Sequence, residues 1–275
     1  MIGLVTDSNA QLPADLRERY RVEVVPLTVV VGGQPYREGI DITTPEFYER
    51  LAGGAEVSTA APSPGEVLEV YEQTASAGAT EILSIHIGSN TSATINAVKV
   101  AAGSSPVPVE IVDTGTASFA VACCVWAAGE VLNAGGDLTH AADVARRVAG
   151  RVGNVFIVGA LDLARRGGRL AADATEVKGL PVLALAEGQM KAVGHVHDVE
   201  SAVDAMTEYF VETAAGEPQR AGVGDALTSE LAGEYADRLV ARPEVVELVR
   251  YEIGPSVGAH TGAGTVGACF FPVRS

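Results

Sequence analysis

Four segments in the first half of the chain combine small hydroxyl, amide and acidic residues, and each follows a predicted strand. In a parallel sheet such segments gather at the carboxyl ends of the strands, where ligands bind. Helix N-termini at that edge offer N–H groups and a positive dipole end, which favours an anion such as a carboxylate or a phosphate. Each Ser, Thr or Asp could instead only cap its own helix, but four segments together favour a ligand site. The segments are Thr6-Asp7-Ser8-Asn9, Ser58-Thr59, Ser89-Asn90-Thr91-Ser92 and Asp113-Thr114-Gly115-Thr116.

A further candidate, His260, lies near the end of the sequence. It stands in the segment Gly258-Ala259-His260-Thr261-Gly262-Ala263-Gly264, which predicts a glycine-rich loop whose backbone can approach a ligand closely. A lone histidine is most often structural, but this setting makes His260 a candidate for binding the anion. His195 and His197 would share one strand face, yet no third ligand follows at a recognisable spacing. No metal centre is predicted.

Two segments match the residue patterns of known catalytic or cofactor-binding motifs, but the residues around them do not fit those motifs. Gly262-Ala263-Gly264-Thr265-Val266-Gly267 fits the dinucleotide-binding fingerprint, which needs a following helix and an acidic residue about 20 positions on. Too few residues remain after Gly267 for either. Gly254-Pro255-Ser256-Val257-Gly258 fits a nucleophile elbow, but no acidic residue separates Ser256 from His260, as the triad order would need. A hydrolase and a nicotinamide enzyme are therefore disfavoured.

The order of predicted elements indicates two domains, 1–150 and 151–275. In the first, strands at 2–6, 22–31, 81–87 and 109–113 alternate with helices, and a capping box at Ser63-Pro64-Gly65-Glu66 begins one of them. This pattern predicts a parallel-sheet, Rossmann-like α/β domain. The second domain is predicted to be an α+β two-layer sandwich with a hairpin across Glu187-Gly188. Its strands are predicted at 155–159, 181–186, 189–197, 220–225, 245–253 and 265–271, and its helices at 161–166, 199–214 and 228–241.

Composition excludes several classes of protein. The chain has 275 residues, of which 47% are hydrophobic, and its formal net charge is −16, which disfavours nucleic acid or an anionic membrane surface as a partner. No segment has the roughly 18 apolar residues that a membrane span needs, and the N-terminal segment predicts a strand rather than a signal peptide. Three cysteines without paired spacing predict a reducing compartment, so we expect a cytoplasmic protein.

A series of short stretches follows a recognisable order across nearly the whole chain. They are Val5-Thr6-Asp7-Ser8, Val25-Pro26-Leu27, Gly39-Ile40-Asp41-Ile42, Thr43-Thr44-Pro45-Glu46-Phe47-Tyr48, Ser58-Thr59-Ala60-Ala61-Pro62-Ser63-Pro64-Gly65, Ile85-His86-Ile87-Gly88-Ser89, Val112-Asp113-Thr114, Arg166-Gly167-Gly168-Arg169, Lys178-Gly179-Leu180-Pro181 and His260-Thr261-Gly262. In this order and spacing the chain resembles the DegV family, the bacterial fatty-acid-binding proteins that serve as carrier subunits of fatty acid kinase. Each stretch alone is weak evidence for this resemblance, whereas the whole set in this order is specific.

The resemblance implies a two-domain α/β protein that holds one long-chain fatty acid between its domains. It implies a carrier rather than an enzyme, without metal or cofactor, whose partner is an ATP-dependent kinase that phosphorylates the bound carboxylate to an acyl phosphate. Arg169 would lie near the entrance and matter for handling by the kinase. The positions implied for carboxylate binding are Thr59, Ser89, Asn90, Thr91, His260 and Thr261.

The chain also departs from the family pattern. Ala60-Ala61 replaces a Ser-Gln pair, and His197 stands where an arginine is common. Two alternatives therefore remain: a kinase-independent fatty-acid reservoir or sensor, and a stand-alone enzyme on a small carboxylate with His260 as acid or base. Between residues 164 and 191 five basic and three acidic residues give a local net charge of +2. This positive segment either attracts a kinase, or its arginines are there only because basic residues are favourable at a helix C-terminus. The charged residues are Arg165, Arg166, Arg169, Lys178 and Lys191 against Asp173, Glu176 and Glu187.

Overall fold

The structure is a computed structural model that describes residues 1–171 and 179–274. The chain divides into two compact units, Met1–Gly150 and Arg151–Ser275. The first unit contains a four-stranded parallel sheet and a three-stranded antiparallel sheet, and the second contains a six-stranded mixed sheet. The predicted fold class, a parallel-sheet α/β part together with an α+β part that has its own sheet, is confirmed.

The elements of the first unit alternate between strands and helices. The parallel sheet has the order β2-β1-β6-β7, and the small sheet has the order β4-β3-β5. In chain order the elements are β1 (Ile2–Asp7), α1 (Ala14–Tyr20), β2 (Val22–Val25), β3 (Thr28–Val31), β4 (Gln34–Arg37), α2 (Thr44–Ala52), β5 (Val57–Ala60), α3 (Pro64–Ser76), β6 (Glu81–His86), α4 (Thr94–Ala102), β7 (Val109–Asp113), α5 (Phe119–Asn133) and α6 (Leu138–Ala149).

Helices cover both faces of the parallel sheet. Val5 and Ile82 form a buried cluster with Tyr71 of α3 and Val98 of α4, while α5 and α6 contact the sheet from the opposite side. The predicted capping box at Ser63 is confirmed, because its side chain accepts the Glu66 N–H and the Glu66 carboxylate accepts the Ser63 N–H. Strands buried on both faces explain their continuous Val/Ile/Leu runs.

One strand prediction and one loop prediction in this unit are wrong. The apolar run 22–31 is not one strand, because Pro26 has no N–H for a ladder and the chain leaves the parallel sheet there. Its second half, β3, pairs instead with β4 and β5. The segment Ser58-Thr59, predicted as a loop, lies inside β5, where antiparallel pairing places Thr59 opposite Val29. Helices α1, α4 and α6 and strand β4 were not predicted.

The second unit is built around a sheet with the strand order β10-β9-β8-β13-β11-β12. Strands β11 and β12 are parallel, and the other pairings are antiparallel. In chain order the elements are β8 (Gly153–Ile157), α7 (Leu161–Arg166), β9 (Leu180–Ala186), β10 (Gln189–Val196), α8 (Val199–Ala214), β11 (Gln219–Asp225), α9 (Ser229–Val240), β12 (Val245–Glu252), α10 (Pro255–Thr261) and β13 (Val266–Pro272).

Helices α8 and α9 pack on one face of this sheet. Phe210 of α8 meets Phe270 of β13 edge to face, with ring centroids 4.8 Å apart. The other face carries a smaller apolar cluster in which Ala164 of α7 packs with Val158, Leu183 and Met190. The predicted hairpin is confirmed, because β9 and β10 pair across Glu187-Gly188, where both residues have positive φ angles.

One prediction in this unit is wrong in a way that bears on the candidate site. The segment around His260, predicted as a glycine-rich loop, begins as helix α10 at Pro255, and His260 lies in its last turn. Pro255 favours a helix start, and Gly262, with φ +78°, ends the helix. Over the described ranges no helix is long and apolar enough to cross a membrane.

Candidate functional site

The Ser89-Asn90-Thr91 segment links β6 to α4 and lies against the segment that follows β7. The Ser89 N–H donates to Oδ1 of Asp113 (3.0 Å), and Nδ2 of Asn90 donates to the Gly115 carbonyl (3.1 Å). A β-carbon at Gly88 would come within 2.5 Å of Gly115, so only glycine permits this approach. Two of the four predicted polar segments therefore meet at the carboxyl end of the parallel sheet.

The hydroxyl and amide groups of this turn differ in what they can offer a ligand. The Thr91 hydroxyl donates to Oδ1 of Asn90 (3.0 Å), so both ends of the Asn90 amide already take part in the turn. The Ser89 side chain is exposed, and its hydroxyl makes no hydrogen bond to any residue the structure describes. Ser89 is therefore the group of this turn best able to bind a carboxylate.

A third polar segment, after β1, lies at the same end of the sheet. Asp7 accepts the Asn9 N–H (3.1 Å), and Oδ1 of Asn9 accepts the N–H of Ser118 (2.8 Å) at the start of α5. Ser8 accepts the Leu27 N–H (2.9 Å) and donates to the buried carboxylate of Glu38. These contacts hold the segment in place without leaving its side chains exposed.

Thr59, the remaining first-unit candidate, belongs to the three-stranded sheet. It is half-buried in β5, while its neighbours Ser58 and Ala60 are exposed, as strand alternation requires. Its position on a strand rather than a loop means that its hydroxyl is aimed by the pairing of β5 with β3.

A buried chain of four polar side chains lies beneath these segments, and the sequence patterns did not single it out. Nδ1 of His86 lies 2.9 Å from Oδ2 of Asp7, and Nε2 of His86 lies 2.6 Å from Oγ of Ser84. Ser84 in turn lies 2.8 Å from the Tyr71 hydroxyl. All four side chains are fully buried. Alternation along β6 places Ser84 and His86 on one face, but the partner Asp7 is 79 positions away and no local signal reveals it.

In the second unit, His260 is held by the contact between α10 and α7. The Ala160 N–H, just before α7, donates to the Thr261 carbonyl (2.9 Å). A β-carbon on Gly167, just after α7, would lie 2.6 Å from Nδ1 of His260. The imidazole therefore lies directly against Gly167, the first glycine of the Arg166-Gly167-Gly168-Arg169 stretch.

Arg169 is fixed through its backbone at the same place. Its N–H donates to the Ala164 carbonyl (3.0 Å), and its own carbonyl accepts the N–H of Met190 (2.7 Å) on β10. The guanidinium is half-buried, and burial lowers the pKa of Arg169 from its usual value. The side chain stays protonated at neutral pH, because an arginine is not deprotonated in proteins.

The charge state of His260 follows from these surroundings. Burial, and to a lesser extent the positive charge of Arg169, lowers the pKa of His260 to about 4. The imidazole is therefore neutral at neutral pH, with one nitrogen that donates and one that accepts a hydrogen bond. Thr261 is buried, and its hydroxyl donates to the Val257 carbonyl (3.2 Å), so it offers a ligand no proton.

Two other features of this unit are not part of the predicted site. An open cavity of about 550 Å³ is lined by Asp225, Arg250 and Glu252 among others and contains none of the predicted residues. In the described ranges no cluster of three or more His, Cys, Asp or Glu side chains suits a metal ion. Lys178, Asp173 and Glu176 lie outside the described residues.

Comparison with known proteins agrees with this architecture. A family model described as the uncharacterised DegV protein family matches residues 1–273. A DegV domain-containing protein of Streptomyces coelicolor is 37% identical over 273 residues, which cover 97% of this chain and 96% of the relative. The fold and the sequence together define a two-unit α/β protein of the DegV type.

Two solved structures extend the similarity to three dimensions. A DegV family protein from Thermus thermophilus, described as binding fatty acid, is 33% identical, has a TM-score of 0.91 and matches 98% of this chain and 99% of its own. DegV of Bacillus subtilis, described as a fatty acid binding protein, is 27% identical with a TM-score of 0.87 over the same shares. The present chain belongs to the DegV family.

Proposed function

We propose that this chain binds a single long-chain fatty acid in a buried tunnel and presents its carboxylate to a partner ATP-dependent fatty acid kinase, which forms the acyl phosphate. The observation that carries the proposal is the full-length similarity to the two fatty-acid-binding DegV proteins. The chain itself would act as a carrier, and the chemistry would take place on the partner.

The carboxylate would be held by hydrogen-bond donors rather than by a cation in direct contact. Ser89 offers an exposed hydroxyl, Thr59 a strand-positioned hydroxyl, and neutral His260 one N–H. Hydrogen bonds to a charged acceptor contribute about 1.5–3 kcal/mol each, so a few donors offset the desolvation of a carboxylate. Asn90, Thr91 and Thr261 would act mainly by shaping the places where Ser89 and His260 stand.

Arg169 would contribute a longer-range attraction. Its positive charge already lowers the pKa of His260, which means that the field of the guanidinium reaches the imidazole. The same field would favour a carboxylate bound at that imidazole over a neutral ligand. The proposed role of Arg169 in the handling of the carboxylate by a kinase rests on this proximity.

The acyl chain would supply most of the binding free energy. Burying about 16 carbons contributes on the order of 12 kcal/mol before ordering costs are subtracted, at about 0.8 kcal/mol per methylene. In the second unit, partly buried apolar side chains that suit such a chain pack against the cluster of Ala164, Leu183 and Met190. They are Phe156, Leu161, Leu170, Leu185 and Ala192.

Fewer basic residues around α7 are available to a partner than the local net charge suggests, because some of them pair with acidic neighbours. Arg165 pairs with Asp162 (2.9 Å), and Lys191 pairs with Glu187 (2.7 Å). Arg166 is exposed and has no acidic partner in the part of the chain that the structure describes. Arg166 would therefore be the cation of this helix end that meets a kinase carrying nucleotide phosphates, whereas the role proposed for Arg169 rests on its place beside His260.

One observation favours a second candidate, a fatty-acid reservoir or sensor that works without a kinase. His197, which stands where the family commonly has arginine, is exposed just after β10. A histidine side chain does not offer a partner the planar guanidinium with five N–H donors that an arginine would present at this position.

The first experiment is denaturing mass spectrometry of the purified protein, which should release one equivalent of fatty acid. An empty protein that also fails to take up added oleate or palmitate would contradict both candidates. A purified fatty acid kinase with ATP then separates them, because only the carrier should support consumption of bound oleate. Arg169→Ala should slow this turnover more than it weakens oleate binding, with exposed Arg147→Ala as the matched control.

A further inference from the structure

The buried chain Asp7–His86–Ser84–Tyr71 has the residue order of a catalytic acid–base–nucleophile triad, but its geometry excludes that role. Ser84 is fully buried, and its Oγ lies between Nε2 of His86 (2.6 Å) and the Tyr71 hydroxyl (2.8 Å). A nucleophile has to reach a substrate atom, and no substrate can approach a hydroxyl enclosed in this way. The chain of side chains therefore needs another explanation.

The hydrogen bonds around Asp7 determine which atoms carry protons. Oδ2 of Asp7 accepts the Ile87 N–H (3.0 Å) and faces Nδ1 of His86 (2.9 Å), and Oδ1 accepts the Asn9 N–H (3.1 Å). Because each oxygen of Asp7 already accepts a backbone N–H, we assign Asp7 as the acceptor and Nδ1 of His86 as the donor of the bond between them. Nδ1 of His86 consequently carries a proton and donates it to Asp7.

The other end of the chain determines the second nitrogen of His86. If Nε2 accepts, the Ser84 hydroxyl donates to it and the Tyr71 hydroxyl donates to Ser84, so every group is satisfied. If Nε2 instead carried a proton, it would donate to Ser84, and the hydroxyl proton of either Ser84 or Tyr71 would then lack an acceptor. Within the described residues Ser84 is the only hydrogen-bond partner of the Tyr71 hydroxyl, and Tyr71 is fully buried. A neutral His86 with its proton on Nδ1 is the arrangement that leaves no buried group unsatisfied.

This arrangement fixes the end of β6 from two sides. The side chain of His86 is held by Asp7, while its carbonyl accepts both the N–H (3.2 Å) and the hydroxyl (2.8 Å) of Thr114. The next N–H, that of Ile87, also points to Asp7, and the N–H of Gly88 donates to the Thr116 carbonyl (2.7 Å). The backbone that leads into Ser89 is thus oriented by Asp7 on one side and by the segment after β7 on the other.

We propose that Asp7 and His86 are positioning residues for the Ser89 turn: the bond between Nδ1 of His86 and Asp7, together with the bond from the Ile87 N–H to the same carboxyl group, sets the direction in which the chain leaves β6 and so aims the Ser89 hydroxyl at the ligand. This inference rests on the proposed binding of a fatty-acid carboxylate by Ser89. Asp7 and His86 touch no ligand themselves, because both are fully buried.

Two replacements of His86 separate the contact to Asp7 from the contact to Ser84. The amide nitrogen of an asparagine occupies roughly the place of Nδ1, whereas the amide of a glutamine reaches roughly the place of Nε2. His86→Asn therefore keeps a donor to Asp7 and loses the bond to Ser84, and His86→Gln does the reverse. Both variants shorten or reshape the same buried side chain, so each serves as the stability control of the other.

The test measures the dissociation constant for oleate and the melting temperature of the ligand-free protein side by side. We expect Asp7→Asn and His86→Gln to raise the dissociation constant at least tenfold, and His86→Asn and Tyr71→Phe to change it less than threefold. The melting temperature should decrease by similar amounts in His86→Asn and His86→Gln. A dissociation constant that follows the melting temperature across all four variants would overturn the inference, because a purely structural role predicts that correlation.

A ligand-free measurement keeps the inference testable even for variants that fold poorly. In protein labelled with ¹⁵N at its five histidines, His86 should show at pH 7 a protonated, hydrogen-bonded Nδ1 and an unprotonated Nε2. A proton on Nε2 alone, or on both nitrogens, would contradict the arrangement. If the native protein shows this signature but binds no oleate, the proposed function fails and not the proton assignment. If it binds oleate and Asp7→Asn binds equally well, only the positioning role fails.

Discussion

His260 lies against Gly167: a β-carbon at position 167 would stand 2.6 Å from Nδ1 of the imidazole, closer than real β-carbons approach any atom. The two residues are brought together by the packing of α10 on α7, in which the Ala160 N–H donates to the Thr261 carbonyl. The imidazole of His260 occupies the space that a side chain at position 167 would need, which explains why a glycine stands there.

Gly167→Ala should therefore move the imidazole and weaken oleate binding about tenfold or more, a loss of at least about 1.4 kcal/mol of binding free energy. The φ angle of Gly167 is compatible with alanine, so the backbone itself is not strained. Gly233→Ala in α9 is the matched control, because its β-carbon would meet nothing closer than 3.7 Å. Isothermal titration with oleate measures both; unchanged affinity in Gly167→Ala would show that the position of His260 does not matter.

Stability at mildly acidic pH should report on His260. Because burial lowers the pKa of His260 from 6.5 to about 4, the unfolded chain binds a proton between these values and the folded chain does not. The resulting stabilisation is complete above pH 6.5 and is lost as the pH falls toward 4, by on the order of 3 kcal/mol. Urea denaturation of the native protein and of His260→Gln at several pH values measures the difference. Parallel pH profiles for the two proteins would contradict the lowered pKa.

Ser89→Ala should separate binding from stability. The side chain is exposed and its hydroxyl bonds to no described residue, so the melting temperature should change little. Loss of one hydrogen bond to a charged carboxylate should weaken oleate binding by about 1.5–3 kcal/mol, or roughly ten- to a hundredfold. The exposed residue Ser104, after α4, supplies the control variant Ser104→Ala. Equal affinities for oleate in the two variants would remove Ser89 from the site.

The core of the second unit should be sensitive to truncation of Phe210. This ring is fully buried and packs edge to face on Phe270. Phe210→Ala should lower the free energy of unfolding by about 3–5 kcal/mol, because it removes buried surface and leaves a cavity. Val240, at the end of α9, is 60% exposed, so Val240→Ala should cost less than about 0.5 kcal/mol. Denaturant unfolding followed by circular dichroism compares them, and similar midpoints would contradict the assigned core.

Local signals predicted much of the fold because each element carries its own chemistry. The capping box at Ser63, the hairpin across Glu187-Gly188 and the helix at 199–214 all appear in the structure as predicted. The prediction of one strand over 22–31 was wrong because β-propensity does not say which sheet a strand joins. Only Pro26, which has no N–H, marks the point where β2 ends and the chain leaves the parallel sheet. The helix around His260 was missed because its glycines disfavour a helix locally, and tertiary contact with α7 overrides that preference.

The candidate site also combines features that the sequence predicts with features that only tertiary contacts determine. The sequence by itself determined the membership in the DegV family, the hydroxyl-rich turns at the ends of parallel strands, and His260 and Arg169 as residues of interest. Only the tertiary structure decided that Ser89 offers its hydroxyl while Asn90 and Thr91 bond to each other, and that Asp7 holds His86 across 79 positions. The physical reason is that capping, periodicity and turn chemistry act over a few residues, whereas burial, proton placement and side-chain direction depend on groups that meet only after the chain has folded.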